Sequence, residues 1–303
     1  MKILFFSRLF WPHIGGVEKH VERVSQELTK LGHQVTVVAE QYDKRLKTVE
    51  KRKGINIYRI PIWDVSEKAK KWRIWQWLWQ HRDLIQSADI IHIHDVFFWY
   101  LPLRLLYPRK KVFITFHGYE TQFPPSRSAI WQKRLAASLT AGNICVGDYI
   151  GKWYGIKPTL VTYGATDLDQ RPIGPWPKKP AIIILGRQTP DNNISEVRVA
   201  LRHSGAKVTT QLKQASVVIA SSYLSIWEGL AAGRPVLSIY TNPLKKDYLQ
   251  PLAKYIHIAN SAPQLSRLIR KYMYTPGVYM GKTWANLPTW DKITGTYLKL
   301  WQP

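Results

Sequence analysis

The sequence predicts an α/β protein of two parallel-sheet domains that face a cleft, with a last helix crossing back to the first domain. Apolar runs alternate with amphipathic segments, and a proline-rich break, RPIGPWPKKP at 171–180, divides them into two series. A final amphipathic stretch at 289–301 follows both series. We therefore expect domains at 1–172 and 173–286, and a C-terminal helix at 287–303.

The strands are predicted from near-continuous apolar runs, which are typical of parallel strands covered on both faces. The first series contains KILFFS (2–7), QVTVVA (34–39), INIYRI (55–60), DIIHI (89–93), KVFITF (111–116) and TLVTY (159–163). The second contains AIIIL (181–185), KVTT (207–210), SVVIA (from Ser216), PVLSI (235–239) and YIHI (255–258).

Two helices are predicted from apolar residues that recur at helical spacing. The first, which lies between the first two strands and ends at Gly32, carries Val17, Val21, Val24 and Leu28. The last carries Trp290, Ile293, Tyr297, Leu300 and Trp301 on one face. That face is wide enough to predict that the helix packs against other elements instead of standing free.

Composition limits the class of protein. With 45% hydrophobic and 13% aromatic residues in 303, the chain should form packed cores. The single cysteine, Cys145, favours a reducing cytoplasm. No apolar run reaches the length of about 18 residues that a transmembrane helix needs, and Arg8 interrupts the first apolar run, which favours a strand over a signal peptide. We expect a cytoplasmic protein, with a peripheral position on the inner face of the cell membrane left open.

The charge points to a polyanionic partner. The formal net charge is +24, and KRLKTVEKRK at 44–53 is the densest basic cluster. Nucleic acid, anionic lipid and a phosphorylated substrate all suit such charge. No nucleic-acid-binding motif is recognisable, so nucleic acid is not the expected partner.

The segment KKWRIWQWLWQHR at 70–82 has two interpretations. On a helical wheel, Trp72, Trp75 and Trp79 share a face and could simply pack on the sheet. Trp77 lies among cations on the other side, where burial does not explain it. Tryptophan beside Lys and Arg is typical of a bilayer interface, so we predict that 44–53 and 70–82 contact an anionic membrane.

In the first domain, candidate site residues follow strand ends, where open parallel sheets bind ligands. Gly15 and Gly16 precede a helix whose N-terminus could receive an anion, or they form a tight turn. His117, just after a strand, could donate to a phosphate or a sugar hydroxyl. His92 and His94 share a strand face, where packing is favoured over metal binding with His117 as third ligand.

In the second domain, Arg187 follows the first strand and could offer its planar fork to phosphate oxygens. Glu228 stands out in an apolar, small-residue segment, where we place it at a helix start and expect it to accept two ribose hydroxyls. The tripeptide DLD at 167–169 is a D-x-D sequence, but short matches arise by chance and no metal is expected.

Together these segments resemble glycosyltransferase family 4, retaining enzymes of the GT-B fold with two Rossmann-like domains. The likeness runs along nearly the whole chain. The segments that carry it are GGVEKHVERVSQELTKLGHQVTVVA, DIIHIHD, TFHG, VTYGATD, LGR, WEGLAAGRPV and WDKITGTYLKLW.

The resemblance implies roles for individual residues. Gly15 and Gly16 would lie near the donor phosphates and the acceptor, and His117, the candidate catalytic residue, would contact the transferred sugar or its phosphate. Arg187 would bind the diphosphate and Glu228 the ribose. Backbone N–H groups of one loop would contact the diphosphate; its residues are Ser222, Tyr223, Leu224 and Ser225.

The sequence departs from the family pattern at two donor contacts. The E-x7-E motif would need a glutamate where Ala220 stands, and the phosphate-binding lysine is replaced by Asn192. Lys245 and Lys246 could replace the missing charge. An inactive relative therefore remains an alternative.

The expected function is sugar transfer, with retention, from a nucleotide sugar to a lipid-linked or glycan acceptor in cell-envelope polysaccharide or glycolipid synthesis. The expected enzyme class is a hexosyltransferase-type glycosyltransferase. No cofactor is expected, because the nucleotide sugar is a co-substrate. The alternatives are an inactive sugar-nucleotide-binding protein and, less favoured, a basic nucleic-acid-binding protein.

Overall fold

A computed structural model describes residues 1–118, 123–167, 175–275 and 287–302. The chain divides into two compact units, of which the first is Met1–Tyr119, Arg127–Thr162 and Trp290–Pro303. The second is Glu120–Ser126 and Tyr163–Thr289. The predicted boundary at 172–173 lies outside the described residues, and the predicted cleft stays a prediction.

The first unit is built on an eight-stranded sheet in the order β3-β4-β2-β1-β5-β6-β7-β8, parallel except for β3. Its strands are β1 (Lys2–Ser7), β2 (Gln34–Gln41), β3 (Val49–Arg52), β4 (Ile55–Pro61), β5 (Ile90–His94), β6 (Lys111–Phe116), β7 (Gly142–Val146) and β8 (Leu160–Thr162). Its helices are α1 (Gly16–Lys30), α2 (Glu67–Gln80), α3 (Arg82–Ser87), α4 (Phe97–Leu106), α5 (Arg127–Ser138) and α6 (Tyr149–Tyr154). The C-terminal helix α11 (Trp290–Trp301) also belongs to this unit.

The second unit has a four-stranded parallel sheet in the order β12-β11-β10-β9. The strands are β9 (Ile182–Leu185), β10 (Val217–Ala220), β11 (Val236–Ile239) and β12 (His257–Ala259). The helices are α7 (Ile194–Ser204), α8 (Tyr223–Ala231), α9 (Pro243–Leu249) and α10 (Ala262–Met273), with 3-10 turns at Pro190–Asn192, Leu212–Gln214 and Gln250–Leu252. The α/β class with parallel sheets is confirmed.

Most predicted strands are present, but one is wrong and two were missed. KVTT at 207–210 forms only an isolated bridge between Val208 and Ile182. The structure adds β7, whose Gly and Asn disfavour a strand prediction. It also adds β3, an edge strand inside the basic cluster, where charge protects an exposed edge from pairing with other chains.

Helix α2 reverses the predicted faces of the tryptophan segment. Trp77 is only 9% exposed and stacks on His81 with ring centroids 3.8 Å apart. Trp72 and Trp79 are 69% and 52% exposed. The sheet-facing interpretation of Trp72 and Trp79 is therefore wrong, because the buried face of α2 consists of Ile74, Trp77 and Leu78.

Within the described residues, none of the helices combines the length and the apolar character that a membrane span requires.

Candidate functional site

The predicted site residues of the first unit lie near a cluster of four histidines, of which three are buried and His117 is half-buried. These are His20 on α1, His92 and His94 on β5, and His117 just after β6. The His94 Nδ1 and His117 Nε2 atoms are 2.8 Å apart, and the His20 and His117 ring centroids are 4.7 Å apart. The fold therefore brings His117 to the helix that Gly15 and Gly16 begin.

A hydrogen-bonded chain joins this cluster to helix α11. Trp301 Nε1 lies 3.0 Å from His92 Nδ1, and His92 Nε2 lies 2.7 Å from Thr115 Oγ1. Thr115 Oγ1 lies 2.9 Å from the Tyr297 hydroxyl, which lies 2.9 Å from His20 Nε2. Sequence reasoning placed Tyr297 and Trp301 on the packing face of α11 but missed this network.

The direction of the first two bonds in the chain follows from the indole, because indole N–H can only donate. His92 Nδ1 must accept, so a neutral His92 carries its proton on Nε2 and donates to Thr115. The Thr115 and Tyr297 hydroxyls can each donate or accept, so the bond between them and the bond to His20 Nε2 can run in either direction.

All four histidines are kept neutral by burial. Desolvation lowers the pKa of His20, His92 and His94 well below the ordinary value, and the other histidines add to this effect. Burial, and then the nearby Lys133 cation, lower the pKa of His117 to about 3. At neutral pH His117 thus offers a substrate a hydrogen bond, not a positive charge.

Two residues that the sequence analysis did not single out, Asp95 and Lys133, lie close to His117. Asp95, which has a positive φ of 62°, accepts a hydrogen bond from the His117 backbone N–H at 3.1 Å. Lys133 Nζ lies 3.9 Å from Asp95 Oδ1. The position of Asp95 directly after the strand DIIHIH was the available sequence signal.

The N-terminus of α1 is already occupied by a carboxylate. The Glu18 side chain folds back over Gly15, where any Cβ would collide with it, and it also pairs with His13 at 3.1 Å. A carboxylate in this position is stabilised by the helix dipole. A phosphate that binds at Gly15 and Gly16 would have to displace it.

In the second unit, the predicted donor residues gather at the carboxyl ends of β9 and β10. Gly186 has a φ of 96°, and a Cβ there would lie 3.3 Å from Ser225 Oγ. The close approach places the neighbouring Arg187 beside the N-terminus of α8. Arg187 is exposed, and its side chain makes no hydrogen bond or ion pair within the described ranges.

The N-terminus of α8 satisfies most of its own amide groups. Ser222 and Ser225 form a reciprocal capping box, and the Tyr223 N–H donates to the Tyr248 hydroxyl at 2.9 Å. In the part of the chain that is described, the Leu224 N–H has no acceptor. Of the four predicted amide donors, Leu224 is thus the one ready to meet a diphosphate.

Glu228 does not lie at a helix start, as the sequence suggested. It is the sixth residue of the nine in α8, so the helix dipole does not favour its charge. Its side chain is half-buried on the same face as Leu224, one turn further along. The helix thus has a free amide at its N-terminal end and a carboxylate one turn further along, which suits the diphosphate and ribose ends of a nucleotide.

Of the two departures from the family pattern, Asn192 has a structural explanation. Asn192 donates to the Arg187 carbonyl at 2.8 Å, so it shapes the loop that carries Arg187. Lys245 is buried with Nζ 2.6 Å from the Ser221 carbonyl, at the turn between β10 and α8, whereas Lys246 is exposed. Of the two proposed replacements, Lys245 is the one that brings positive charge to the donor residues.

Known proteins share both sequence and fold with this chain. The profile of Glycosyltransferase Family 4 matches residues 14–170, more than half of the chain. The chain belongs to glycosyltransferase family 4. The predicted family is confirmed, and the glycosyltransferase class agrees with it.

Individual known proteins share either a short segment of sequence or the fold with this chain. A component of phosphatidylinositol N-acetylglucosaminyltransferase from Arabidopsis thaliana is 38% identical over 61 residues, which is 20% of this chain and 14% of that protein. Sucrose-phosphate synthase from Thermosynechococcus elongatus covers 99% of this chain and 98% of its own at a TM-score of 0.78 and 14% identity. Os79 from O. sativa, solved with UDP, covers 99% and 100% at a TM-score of 0.58 and 10% identity. The predicted GT-B fold is confirmed.

Within the described residues, no group of three or more His, Cys, Asp or Glu side chains is arranged to hold a metal ion. Of the DLD sequence at 167–169, only Asp167 is described.

Proposed function

We propose that this family 4 member transfers a sugar from a nucleotide-sugar donor to a lipid-linked acceptor, or to a glycan, with retention of configuration. The observation that carries the proposal is helix α8, whose N-terminus with the free Leu224 amide lies beside the Gly186–Arg187 loop and whose Glu228 follows one turn later. Arginine and a free amide suit a diphosphate, and a carboxylate suits two ribose hydroxyls. His117 would contact the transferred sugar as a neutral hydrogen-bonding group.

A lipid-linked acceptor is supported by the names of the relatives, which include phosphatidylinositol. The matched segment is only 14% of the Arabidopsis protein, so this part of the proposal rests on a short likeness. With such an acceptor, the protein would act in cell-envelope polysaccharide or glycolipid synthesis, at the inner face of the cell membrane.

The test is transfer from a panel of radiolabelled nucleotide sugars to detergent-solubilised polyisoprenyl-phosphate and phosphatidylinositol acceptors. We expect one donor to give a lipid product whose anomeric configuration matches the donor, and His117→Ala to abolish transfer while donor binding persists. Failure of every donor to bind would overturn the proposal.

Ala220 and Asn192 favour one alternative, a relative that binds nucleotide sugars without transferring them. Ala220 removes a carboxylate, and the Asn192 side chain is committed to the Arg187 carbonyl. Saturable binding of a nucleotide sugar, with neither transfer nor hydrolysis, would support this alternative.

Donor binding is expected to need no metal ion. In this proposal, positive charge from Arg187 and the α8 amide replaces a bridging cation on the diphosphate. Calorimetry of nucleotide-sugar binding in EDTA should give the same affinity as in magnesium. Loss of binding in EDTA and its recovery on adding a divalent ion would contradict the prediction.

Membrane contact is expected through the exposed tryptophans of α2 and the free cations of the basic cluster. Lys44, Lys47 and Lys51 have no side-chain partner among the described residues, and each basic group near an anionic surface is worth about 1 kcal/mol, or roughly fivefold in affinity. Trp72→Ala with Trp79→Ala should weaken co-sedimentation with phosphatidylglycerol vesicles at least tenfold.

The matched control is Trp131→Ala, which removes an exposed tryptophan from α5. It should leave vesicle binding unchanged. Equal binding by the wild type and the Trp72, Trp79 double variant would count against this surface.

A further inference from the structure

A cavity of about 780 Å³ opens at the amino ends of β1, β5 and β6. His117 follows the carboxyl end of β6, so the cavity lies at the opposite edge of the sheet from the candidate site. Its volume falls within the range of small-molecule pockets, about 300–1,000 Å³. None of the candidate donor or catalytic residues lines it.

The floor of the cavity is apolar. Ala88, Ile90 and Trp301 are buried there, and Leu298 and Leu106 form walls. The walls are the part of this apolar lining that is open to water, and they favour a hydrocarbon chain because covering them removes apolar surface from water.

The rim is cationic. Arg109 and Lys111 are exposed, and within the described ranges neither side chain makes a hydrogen bond or an ion pair. Lys110 is not counted among the cations available to a ligand, since its Nζ donates to the Ala88 carbonyl at 2.8 Å. The acid of the rim, Asp89, accepts the Lys2 backbone N–H at 2.7 Å. Two uncommitted cations above an apolar floor complement an anionic amphiphile.

The surface next to the cavity also combines apolar side chains with cations. Leu105 and Leu106, at the end of α4, are 71% and 54% exposed, and Leu106 lines the cavity. Exposed leucines beside cations suit the boundary between headgroups and acyl chains.

We propose that the cavity binds one anionic phospholipid of the membrane, with an acyl chain on the Trp301 floor and the headgroup phosphate between Arg109 and Lys111. This site lies outside the donor residues and outside segments 44–53 and 70–82. It goes beyond the proposed function and does not depend on it.

The floor residue Trp301 also begins the histidine hydrogen-bond chain, through its 3.0 Å bond to His92. A lipid that packs on Leu298, in the same helix as Trp301, therefore stabilises the docked position of α11. Because a ligand stabilises the state that binds it, the lipid also raises the midpoint of thermal unfolding.

The first experiment measures binding of dodecyl phosphate, below its micelle concentration, by calorimetry and by thermal shift. Dodecyl maltoside tests the chain without the charge, and inorganic phosphate tests the charge without the chain. We expect one saturable site for dodecyl phosphate, and at least tenfold weaker binding of both controls. Equal binding of dodecyl maltoside would overturn the anionic part of the proposal, and equal binding of phosphate its apolar part.

The variants are Arg109→Glu with Lys111→Glu, which reverses the rim, and Leu298→Trp, which fills the cavity. Lys299→Glu is the matched charge reversal, exposed on α11 beside Leu298 but outside the cavity. We expect at least tenfold weaker binding in the first two and no change in the third. Unchanged binding in the rim variant, whose surface positions leave the fold intact, would overturn the site.

The second experiment distinguishes membrane lipid from a free amphiphile. Vesicles that contain a phosphatidylglycerol with a diazirine on its acyl chain are irradiated with the protein, and crosslinked peptides are mapped. Crosslinks to the segments 88–90, 106–111 and 298–302 are expected. Crosslinks confined to α2 would overturn the proposal, whereas nucleotide-sugar binding, measured on the same samples, reports separately on the proposed function.

Discussion

Lowering the pH from 8 to 5 is expected to unfold the first unit, because unfolding lets its four clustered histidines take up protons. In unfolded chains histidine titrates near pH 6.5. In the folded state the pKa of each of the four is lowered. The unfolded state therefore binds more protons below pH 6.5, and stability is lost as the pH falls from there toward the folded pKa values.

The size of the effect follows from the number of groups. Each histidine that stays neutral when folded costs up to about 1.4 kcal/mol of unfolding free energy per pH unit below 6.5. Four such groups act together, and a domain has only about 5–15 kcal/mol to lose. Urea unfolding, followed by circular dichroism at pH 8, 7, 6 and 5, measures the slope.

Variants separate the cluster from general acid effects. His20→Gln keeps a hydrogen-bonding group for the Tyr297 hydroxyl and removes one titrating group, so the part of the slope below pH 6.5 that comes from the four histidines should fall by about a quarter. His203→Gln removes a histidine from α7 in the other unit and should leave the slope unchanged. A stability that is flat between pH 8 and pH 5 would show that the histidines are not held neutral.

The sequence was sufficient to predict the buried face of a helix where the apolar residues form a single stripe. The predicted packing face of the last helix is buried in the structure, because five apolar side chains at helical spacing leave one way to dock. Segment 70–82 offered two apolar faces instead of one. Whether Trp77 or the neighbouring tryptophans are buried depends on the elements that α2 packs against, and helical periodicity gives no information about those elements.

Site chemistry that depends on tertiary contacts could not be predicted. The hydrogen-bond chain joins residues 92, 115, 297, 301 and 20, which come together only when α11 docks on β5, β6 and α1. The fold likewise decides the position of Glu228 in the second half of α8, which a motif match leaves open. By contrast, Arg187 and His117 could be located from their positions after strand ends, because parallel sheets expose those ends.

Nucleotide affinity is expected to fall by one to a few decades in Glu228→Ala. A carboxylate that accepts two ribose hydroxyls makes charge-assisted bonds worth about 1.5–3 kcal/mol each before desolvation. A decade of affinity corresponds to roughly 1.4 kcal/mol. Calorimetry with nucleoside, nucleoside diphosphate and nucleotide sugar measures the loss, which should appear with all three ligands because each contains the ribose.

Arg187→Ala should have a different signature, since its exposed side chain is proposed to bind the diphosphate. Affinity for the nucleoside diphosphate should fall more than affinity for the nucleoside.

Because Ala220 cannot supply a second carboxylate, discrimination among donor sugars is expected to be weak or to depend on another group.

The matched controls for Glu228→Ala and Arg187→Ala are Glu196→Ala and Arg202→Ala on α7, which should leave all three affinities unchanged. Equal nucleotide affinity in the wild type and Glu228→Ala would remove the main support for the donor site, because no other acid shares the α8 face with Leu224.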